Sequence, residues 1–241
     1  MQYNKVSEAI NLTSEWNESG VLVEEPSVTE VHEGLLDRGA RRIKRAFDVV
    51  SASVLMLLAL PFAAAIAIAI VLETPGPVFF RQTRIGRGNR QFHLWKFRSM
   101  VMNGEEVLDG YLDAHPDLKR EWNATHKLKD DPRVTRVGRL LRRRSLDELP
   151  QLWNVLQGSM SLIGPRPIVE EEVPKYGDKF HLYLKVKPGL TGLWQVSGRS
   201  DTSYRKRVEL DCEYIRTWSL MGDLRIVVKT IGVILRAHGA Y

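Results

Sequence analysis

The sequence contains a single cysteine, Cys212, among its 241 residues. One thiol cannot form an internal disulfide, so the protein is expected in a reducing compartment. The six histidines also lack the spacing, to one another or to Cys212, that is typical of a structural zinc site. These absences argue against a disulfide-rich secreted domain and against a zinc-stabilised one.

Basic residues are nearly absent from the first 36 positions, which hold seven glutamates against Lys5 alone. Residues 1–36 have few apolar side chains and no sustained periodicity, so an acidic disordered tail is predicted. They lack the basic start and early apolar run of a cleaved signal peptide, and export is not expected. Since the whole chain has a net charge of +6, residues 37–241 carry +12, which predicts anionic partners such as lipid headgroups, nucleotides or nucleic acid.

Charge is missing altogether from Val49 to Leu72, a run of 24 residues. As a helix this run would be about 36 Å long, which is enough to cross a bilayer. With its basic flank it defines residues 41–73 as a predicted membrane unit.

The charges on either side of this run bear on its topology. A simple span should leave one flank depleted of Lys and Arg, yet both flanks are basic. Pro61, at the middle of the run, removes a helix hydrogen bond and permits a sharp bend. We therefore favour a re-entrant helix that breaks at Leu60–Pro61 and leaves on the face where it entered, with a single span as the alternative. The basic residues are Arg41, Arg42, Lys44 and Arg45 before the run, and Arg81, Arg84, Arg87, Arg90, Lys96 and Arg98 after it.

Residues 74–241 are predicted to form a mainly helical domain with a small β-hairpin, an α+β fold associated with the membrane. Thr74–Pro77 is a turn, and Val78–Phe80 and Gln91–Phe97 have strand character on either side of Gly86–Asn89. The last helix has an apolar face that suits either a membrane surface or the core. Helices are predicted over 103–127 with an interruption at Pro116, from Arg133 onward, and over 149–157, 205–218 and 224–235.

The densest group of charged residues surrounds two adjacent carboxylates, Asp147 and Glu148. Arginines 142–144 precede them, and Arg166 follows between two prolines. Carboxylates beside arginines are suited to holding a metal ion together with phosphates. The sequence therefore predicts phosphate chemistry at this dyad.

The dyad also has a structural interpretation. Ser145 and Glu148 have the spacing of a capping box, in which both side chains satisfy free backbone N–H groups at a helix start. Pro150 fits that interpretation poorly, because proline prefers the first helical position. A helix that starts near Leu149 would instead leave Asp147 and Glu148 at its N-terminus, where anions bind well. Both alternatives put phosphate near the dyad.

Several longer motifs carry a resemblance to a known family. They are Lys44–Arg45 with Phe47–Asp48, Gly76–Gln82, Lys96–Met100, Ser145–Asn154, Gly164–Pro167, Pro188–Arg199 and Trp218–Ser219. Over about residues 41–241 the chain resembles the bacterial sugar transferases, which are polyprenyl-phosphate hexose-1-phosphate transferases, also called monotopic phosphoglycosyl transferases. One departure is Leu60, where the family often has serine before the membrane proline.

The resemblance implies an enzyme of the bacterial inner membrane, at its cytoplasmic face. It would transfer a sugar-1-phosphate from a UDP-hexose, with galactose or glucose favoured, to undecaprenyl phosphate, and release UMP at the start of exopolysaccharide, capsule or O-antigen synthesis. Mg²⁺ is the implied cofactor. Membrane lipid is an implied partner, no nucleic acid is expected, and a homo-oligomer stays open.

The resemblance also assigns roles to residues. Asp147 matches the nucleophile that forms a phosphosugar-aspartate intermediate, and Glu148, with Asp147, matches the Mg²⁺ site. Arg142 and Arg166 match arginines that hold phosphates. The other residues expected at the substrate site are Lys96, Arg98, Asp211 and Asp223.

Two other functions remain as alternatives. The basic helix before the dyad suits a membrane-tethered nucleic-acid-binding protein, although two carboxylates would repel a phosphate backbone unless a metal intervened. A non-catalytic scaffold for polysaccharide assembly is the second.

Overall fold

The computed structural model describes residues 37–125, 128, 130–198 and 202–236. The predicted acidic tail, residues 1–36, lies outside this range. The helices are α1 (Arg38–Glu73), α2 (Gly104–Ala114), α3 (Pro116–Thr125), α4 (Arg136–Arg143), α5 (Gln151–Gln157), α6 (Val173–Tyr176), α7 (Phe180–Tyr183), α8 (Tyr204–Arg216) and α9 (Leu220–Arg236). The strands are β1 (Phe79–Ile85), β2 (Gln91–Phe97), β3 (Ser161–Ile163) and β4 (Gly189–Thr191).

Helix α1 contains the uncharged run and begins where the Asp37 side chain accepts a hydrogen bond from the Ala40 backbone N–H. Among the described residues it is a helix long and apolar enough, by length and composition, to cross a membrane. The sequence predicted two helices divided at Leu60–Pro61, but α1 is one element with Pro61 inside it. Proline removes a single hydrogen bond, and the apolar residues on both sides continue the helix.

Both ends of α1 contact the same globular body. Near its start, Arg45 donates to the carbonyl oxygens of Val155 and Leu156 at the end of α5. Asp48 is buried and accepts hydrogen bonds from the Ser161 hydroxyl and the Leu162 N–H, each at 3.0 Å. The first turns of α1 are therefore fixed to α5 and β3.

At the other end, the Glu73 carboxylate accepts hydrogen bonds from the backbone N–H groups of Arg136 and Val137 at 2.6 and 2.9 Å. These groups lie at the start of α4, where a helix has unpaired N–H donors and a positive dipole end. The last turn of α1 thus caps α4.

The cores lie along α1 as well. Met56 packs against the larger core, and Ala63 packs against a smaller core formed by Ile70, Phe97 and Leu141. Between them lie six residues, 57–62, which among the described contacts belong to neither core and measure about 9 Å as a helix. The larger core includes Leu94, Leu152, Val155, Met160, Ile163, Leu182, Tyr183, Val208, Ile215, Trp218 and Ile226.

Strands β1 and β2 form the predicted antiparallel hairpin, in a register that runs from Phe79 opposite Phe97 to Ile85 opposite Gln91. The first strand is longer than the predicted Val78–Phe80. Asn154 on α5 docks the hairpin, because its amide donates to the His93 carbonyl at 2.7 Å and accepts from the Trp95 N–H at 3.1 Å.

Strands β3 and β4 form a parallel pair that the sequence did not predict. Two short backbone hydrogen bonds extend it, Gly164 N–H to the Thr191 carbonyl at 3.0 Å and Gly189 N–H to the Pro165 carbonyl at 2.7 Å. A Cβ on Gly189 would lie 2.1 Å from the Gly164 nitrogen. Glycine is therefore required where these segments meet, and the close approach fixes the loop that leads to Arg166.

Asn154→Ala tests the docking of the hairpin. The change leaves the His93 carbonyl and the Trp95 N–H without their partner, and an unsatisfied buried polar group costs about 1–3 kcal/mol. We expect the free energy of unfolding to fall by about 2 kcal/mol, measured by chemical denaturation in detergent. Gln157→Ala, exposed on the same helix, is the control. Equal losses in the two variants would contradict the docking role.

Candidate active site

The dyad lies on a short 3₁₀ turn, Leu146–Glu148, between α4 and α5. Ser145 adopts a left-handed conformation with φ of 54°, and in the described structure its side chain makes no capping hydrogen bond. The capping-box interpretation is therefore wrong. Pro150 precedes the first residue of α5, so Asp147 and Glu148 lie just before the helix, as the alternative with a later helix start predicted.

Lys96, near the end of β2, meets both carboxylates. Its Nζ lies 3.0 Å from Glu148 Oε1 and 3.9 Å from Asp147 Oδ2. The hairpin thus delivers a cation to the dyad, and the position predicted for Lys96 is in contact with both predicted catalytic residues.

Arg166 approaches Glu148 from the loop after β3. Its Nη1 lies 3.7 Å from Glu148 Oε1, and its guanidinium lies over the Trp194 ring, 5.9 Å from the centroid. The Arg166 side chain is 38% exposed, against 18% for Lys96. A cation at the open side of the dyad is suited to meeting an incoming phosphate.

Arg142, on α4, is held beside the dyad through Ser99, whose hydroxyl accepts from Arg142 Nε at 2.8 Å. The approach of α4 to Ser99 requires Gly138, since a Cβ there would lie 2.0 Å from the Ser99 carbonyl oxygen. The positive charge of Arg142 acts on Asp147 and lowers its pKa, against the effect of burial.

The two carboxylates have different electrostatic environments. Burial raises the pKa of Asp147, and the neighbouring Glu148 raises it further, although Lys96 and Arg142 oppose both effects. Burial alone would also raise the pKa of Glu148, but the charges of Lys96 and Arg166 outweigh it and hold that pKa below the ordinary value. Adjacent acids with separated pKa values are suited to different chemical roles.

The dyad also bears on the expected magnesium ion. Within the residues described, no group of three or more His, Cys, Asp or Glu side chains could hold a metal ion. Mg²⁺ is commonly bound by one or two carboxylates together with substrate phosphates and water. Asp147 and Glu148 fit such a site, which a diphosphate substrate would complete.

Arg98 and Asp223 were both predicted at the substrate site, and the contacts described for them involve α1 and the turn that follows it. Arg98 is buried and donates to the carbonyl oxygens of Thr74 and Pro75 at 2.6 and 2.9 Å, just after α1. Asp223 pairs with Lys44 at 2.6 Å and accepts from the Tyr214 hydroxyl at 2.9 Å. The contacts of these two residues hold α1 to the globular body.

Asp211, on α8, is buried, and its described hydrogen bond is to Tyr176 rather than to a residue of the dyad. Its Oδ2 accepts a hydrogen bond from the Tyr176 hydroxyl at 2.7 Å, and its Oδ1 has no hydrogen-bond partner among the described residues. Burial raises the pKa of Asp211 to about 8, although Tyr176 and the charge of Arg166 oppose the shift.

Arg84, predicted from the sequence only as part of the basic flank, also lies near the site. Arg84 Nη1 donates to the Pro167 carbonyl at 3.0 Å and lies 3.5 Å from a Glu172 carboxylate oxygen. Its charge helps to lower the pKa of Glu148. Had the first strand been predicted to extend to residue 84, Arg84 would have been expected on the same face of the hairpin as Lys96, because side chains alternate along a strand.

Comparisons with known proteins agree with the resemblance. The family model for "Bacterial sugar transferase" matches residues 39–237. The chain is 48% identical over 217 residues to a UDP-galactose-lipid carrier transferase of Erwinia amylovora, covering 90% of this chain and 45% of that protein. It is 45% identical over 223 residues to an undecaprenyl-phosphate galactose phosphotransferase of Salmonella typhimurium, covering 92% and 47%.

A shorter relative is matched over most of its length. The chain is 48% identical over 198 residues to the exopolysaccharide production protein ExoY of Rhizobium meliloti, covering 82% of this chain and 88% of that protein. The chain thus spans about half the length of the first two relatives and most of the third.

Asp211→Asn tests the buried carboxyl. With a pKa raised from 3.8 to about 8, folded Asp211 keeps a proton that the unfolded chain releases. Stability should therefore fall as pH rises from about 4 to 8, by up to about 1.4 kcal/mol per pH unit. The variant, which does not titrate there, should lose this slope in melting temperature against pH. Asp178→Asn, at an exposed position, should keep it, and an unchanged slope in Asp211→Asn would refute the assignment.

Proposed function

The chain belongs to the bacterial sugar transferase family, and we propose that it transfers a hexose-1-phosphate from a UDP-hexose to undecaprenyl phosphate, with release of UMP. The hexose is galactose or glucose, and galactose is the sugar in the names of two relatives. The name of the third refers to exopolysaccharide production, and the proposed reaction would stand at the start of such a synthesis.

The observation that carries this proposal is the dyad with its cations. Asp147 is 7% exposed and Glu148 lies beside it, with Lys96 and Arg166 in contact. Phosphoryl transfer depends on positioning and on neutralising charge around the phosphorus. Two cations in contact with adjacent carboxylates, one of them partly exposed, supply these requirements for a diphosphate.

Asp147 is the nucleophile in the proposed reaction. Its carboxylate oxygen attacks the hexose-bearing phosphorus, the bond from that phosphorus to the bridging oxygen breaks, and UMP leaves with the electron pair. An oxygen of undecaprenyl phosphate then attacks the same phosphorus and breaks its bond to Asp147, which regenerates the carboxylate. An aspartate nucleophile divides one displacement into two.

The environment of Asp147 supports that role. Burial raises the pKa of its carboxyl, and a more basic carboxylate donates its electron pair more readily. Lys96 and Arg142 favour the ionised form that must attack. Glu148, whose pKa is lowered, stays ionised beside it. Bound at these carboxylates, Mg²⁺ would offset the negative charge of the diphosphate.

The membrane arrangement proposed is a re-entrant α1 at the cytoplasmic face of the inner membrane. Its two ends contact one globular body through Arg45 and Glu73, so both ends lie on the side where that body lies. The six residues between the cores measure about 9 Å, far less than the roughly 30 Å of bilayer hydrocarbon. These contacts favour an α1 that dips into the membrane over one that crosses it.

The covalent step can be tested by intact-protein mass. Incubation with UDP-hexose and Mg²⁺, without lipid acceptor, should add one hexose phosphate to the wild-type chain and release UMP. Asp147→Asn should show no adduct, while Glu148→Gln should still form it, but much more slowly, because metal binding is weakened. An unmodified wild-type enzyme that needs both substrates together for turnover would contradict the two-step mechanism.

Topology can be tested by cysteine labelling. Arg41→Cys and Arg87→Cys, each in a Cys212→Ser background, should both resist an impermeant thiol reagent in intact cells, since both lie on the cytoplasmic side. Both should react after permeabilisation, because both positions are exposed in the structure. Labelling of one of the two in intact cells would establish a span.

A further inference from the structure

An apolar groove of about 290 Å³ lies between the C-terminal half of α1 and the start of the hairpin. Ala67, Ile68, Val71, Leu72 and Val78 line it. Ile68, Val71 and Leu72 are 61%, 48% and 82% exposed. The groove thus opens on the surface of the membrane helix, and every side chain that lines it is apolar.

The hairpin connects this groove to the dyad. Arg98 N–H donates to the Val78 carbonyl at 2.8 Å, which continues the ladder beyond β1, and Phe80 lies directly opposite Lys96. Side chains of opposite residues, and of every second residue, project from one face. Val78, Phe80 and Lys96 therefore share a face, with Val78 about 7 Å along the strand from Phe80.

That face changes from apolar to cationic along a short path. Val78 lines the groove and Phe80 is 52% exposed, whereas the Lys96 ammonium contacts Glu148 and lies 3.9 Å from Asp147. A molecule with a long apolar chain and one phosphate at its end would meet matching surfaces in that order.

The groove is also held in a fixed position relative to the dyad. Glu73 ties the end of α1 to α4, the helix that carries Arg142. Arg98 ties the following turn to β2, the strand that carries Lys96. A chain seated in the groove would have its terminal phosphate placed consistently at the site.

We propose that this groove binds the polyprenyl chain of the lipid acceptor and presents its phosphate to Lys96 and Asp147. This inference rests on the proposed function, whose second step consumes such a lipid. Ordinary phospholipid chains could cover the same apolar surface, but the path to Lys96 favours a single-chain phosphate whose head reaches the dyad.

Val71→Trp and Val54→Trp form a matched pair that tests the groove. Both valines lie on α1 and are about half exposed, at 48% and 52%, but Val71 lines the groove and Val54 does not. In full-length protein, Val71→Trp should raise the KM for undecaprenyl phosphate roughly tenfold, the factor that losing contact with about two methylene groups represents. Its rate of adduct formation from UDP-hexose, which needs no lipid, should be unchanged. Val54→Trp should change neither quantity.

The possible results separate the two proposals. Absence of any adduct in the wild type would refute the proposed function itself. If the adduct forms, equal KM values for the two variants would overturn the groove. Loss of adduct formation in Val71→Trp would also overturn it, because the groove would then support the dyad rather than the lipid.

A photoreactive polyprenyl monophosphate provides an independent measurement on the unmodified chain. It should label peptides that contain residues 67–72 or 78–80, and unlabelled undecaprenyl phosphate should compete while excess phosphatidylglycerol should not. Labelling elsewhere, or competition by phosphatidylglycerol, would show that the groove takes no specific acceptor.

Discussion

Two carboxylates on adjacent residues can share a partly buried site when cations compensate their charge, and the fold of this protein supplies those cations. Charged groups taken from water are costly unless they are paired. Lys96 comes from β2, Arg166 from the loop after β3, and Arg142 from α4. The helix just before the 3₁₀ turn and two elements farther away in the sequence therefore converge on it. Gly138 allows α4 to approach the Ser99 carbonyl, and Gly189 allows β4 to approach Gly164 in the loop that leads to Arg166. Neither position has room for a Cβ atom.

The same reasoning explains how α1 is attached. Besides the apolar contacts along the helix, charged residues near its two ends have defined partners in the globular body. Lys44 pairs with Asp223 and Glu73 caps α4, while Arg98 binds the carbonyl oxygens that follow the helix. Such contacts have strict geometry, so they fix the orientation of the helix more closely than apolar packing would. In the proposed reaction, a dyad that receives a lipid phosphate benefits from being held in a fixed position relative to α1.

Much of the local structure follows from sequence. Local sequence patterns are sufficient to predict the helix over the uncharged run, the interruption at Pro116, the hairpin and the basic helix before the dyad. Features that depend on distant partners were missed. The β3–β4 pair consists of three-residue strands whose pairing rests on contacts between glycines 164 and 189. Ser145 and Glu148 have the spacing of a capping box, but Ser145 lies in a left-handed conformation that the sequence pattern did not indicate.

The site residues also divide into those that the sequence predicted and those whose contacts depend on distant parts of the chain. Sequence placed Asp147, Glu148, Lys96 and Arg166 together, and the structure brings them into contact. Sequence alone could not predict that Arg98 and Asp223 also hold α1 in place, because a buried charge that anchors a helix and one that binds substrate have the same residue types. Arg84 was assigned to the basic flank because the sequence gives no sign of the Pro167 carbonyl that it binds.

The cations of the dyad also differ in how firmly they are held. Lys96 is mostly buried and hydrogen-bonded to Glu148 at 3.0 Å. Arg166 is more exposed, and its contact with Glu148, at 3.7 Å, is longer than a hydrogen bond. Turning Arg166 from Glu148 toward a phosphate would therefore sacrifice little, whereas removing Lys96 would leave two carboxylates poorly compensated. In the proposed reaction, Arg166 is therefore the cation better placed to turn toward the incoming diphosphate, while Lys96 compensates the charge of the two carboxylates.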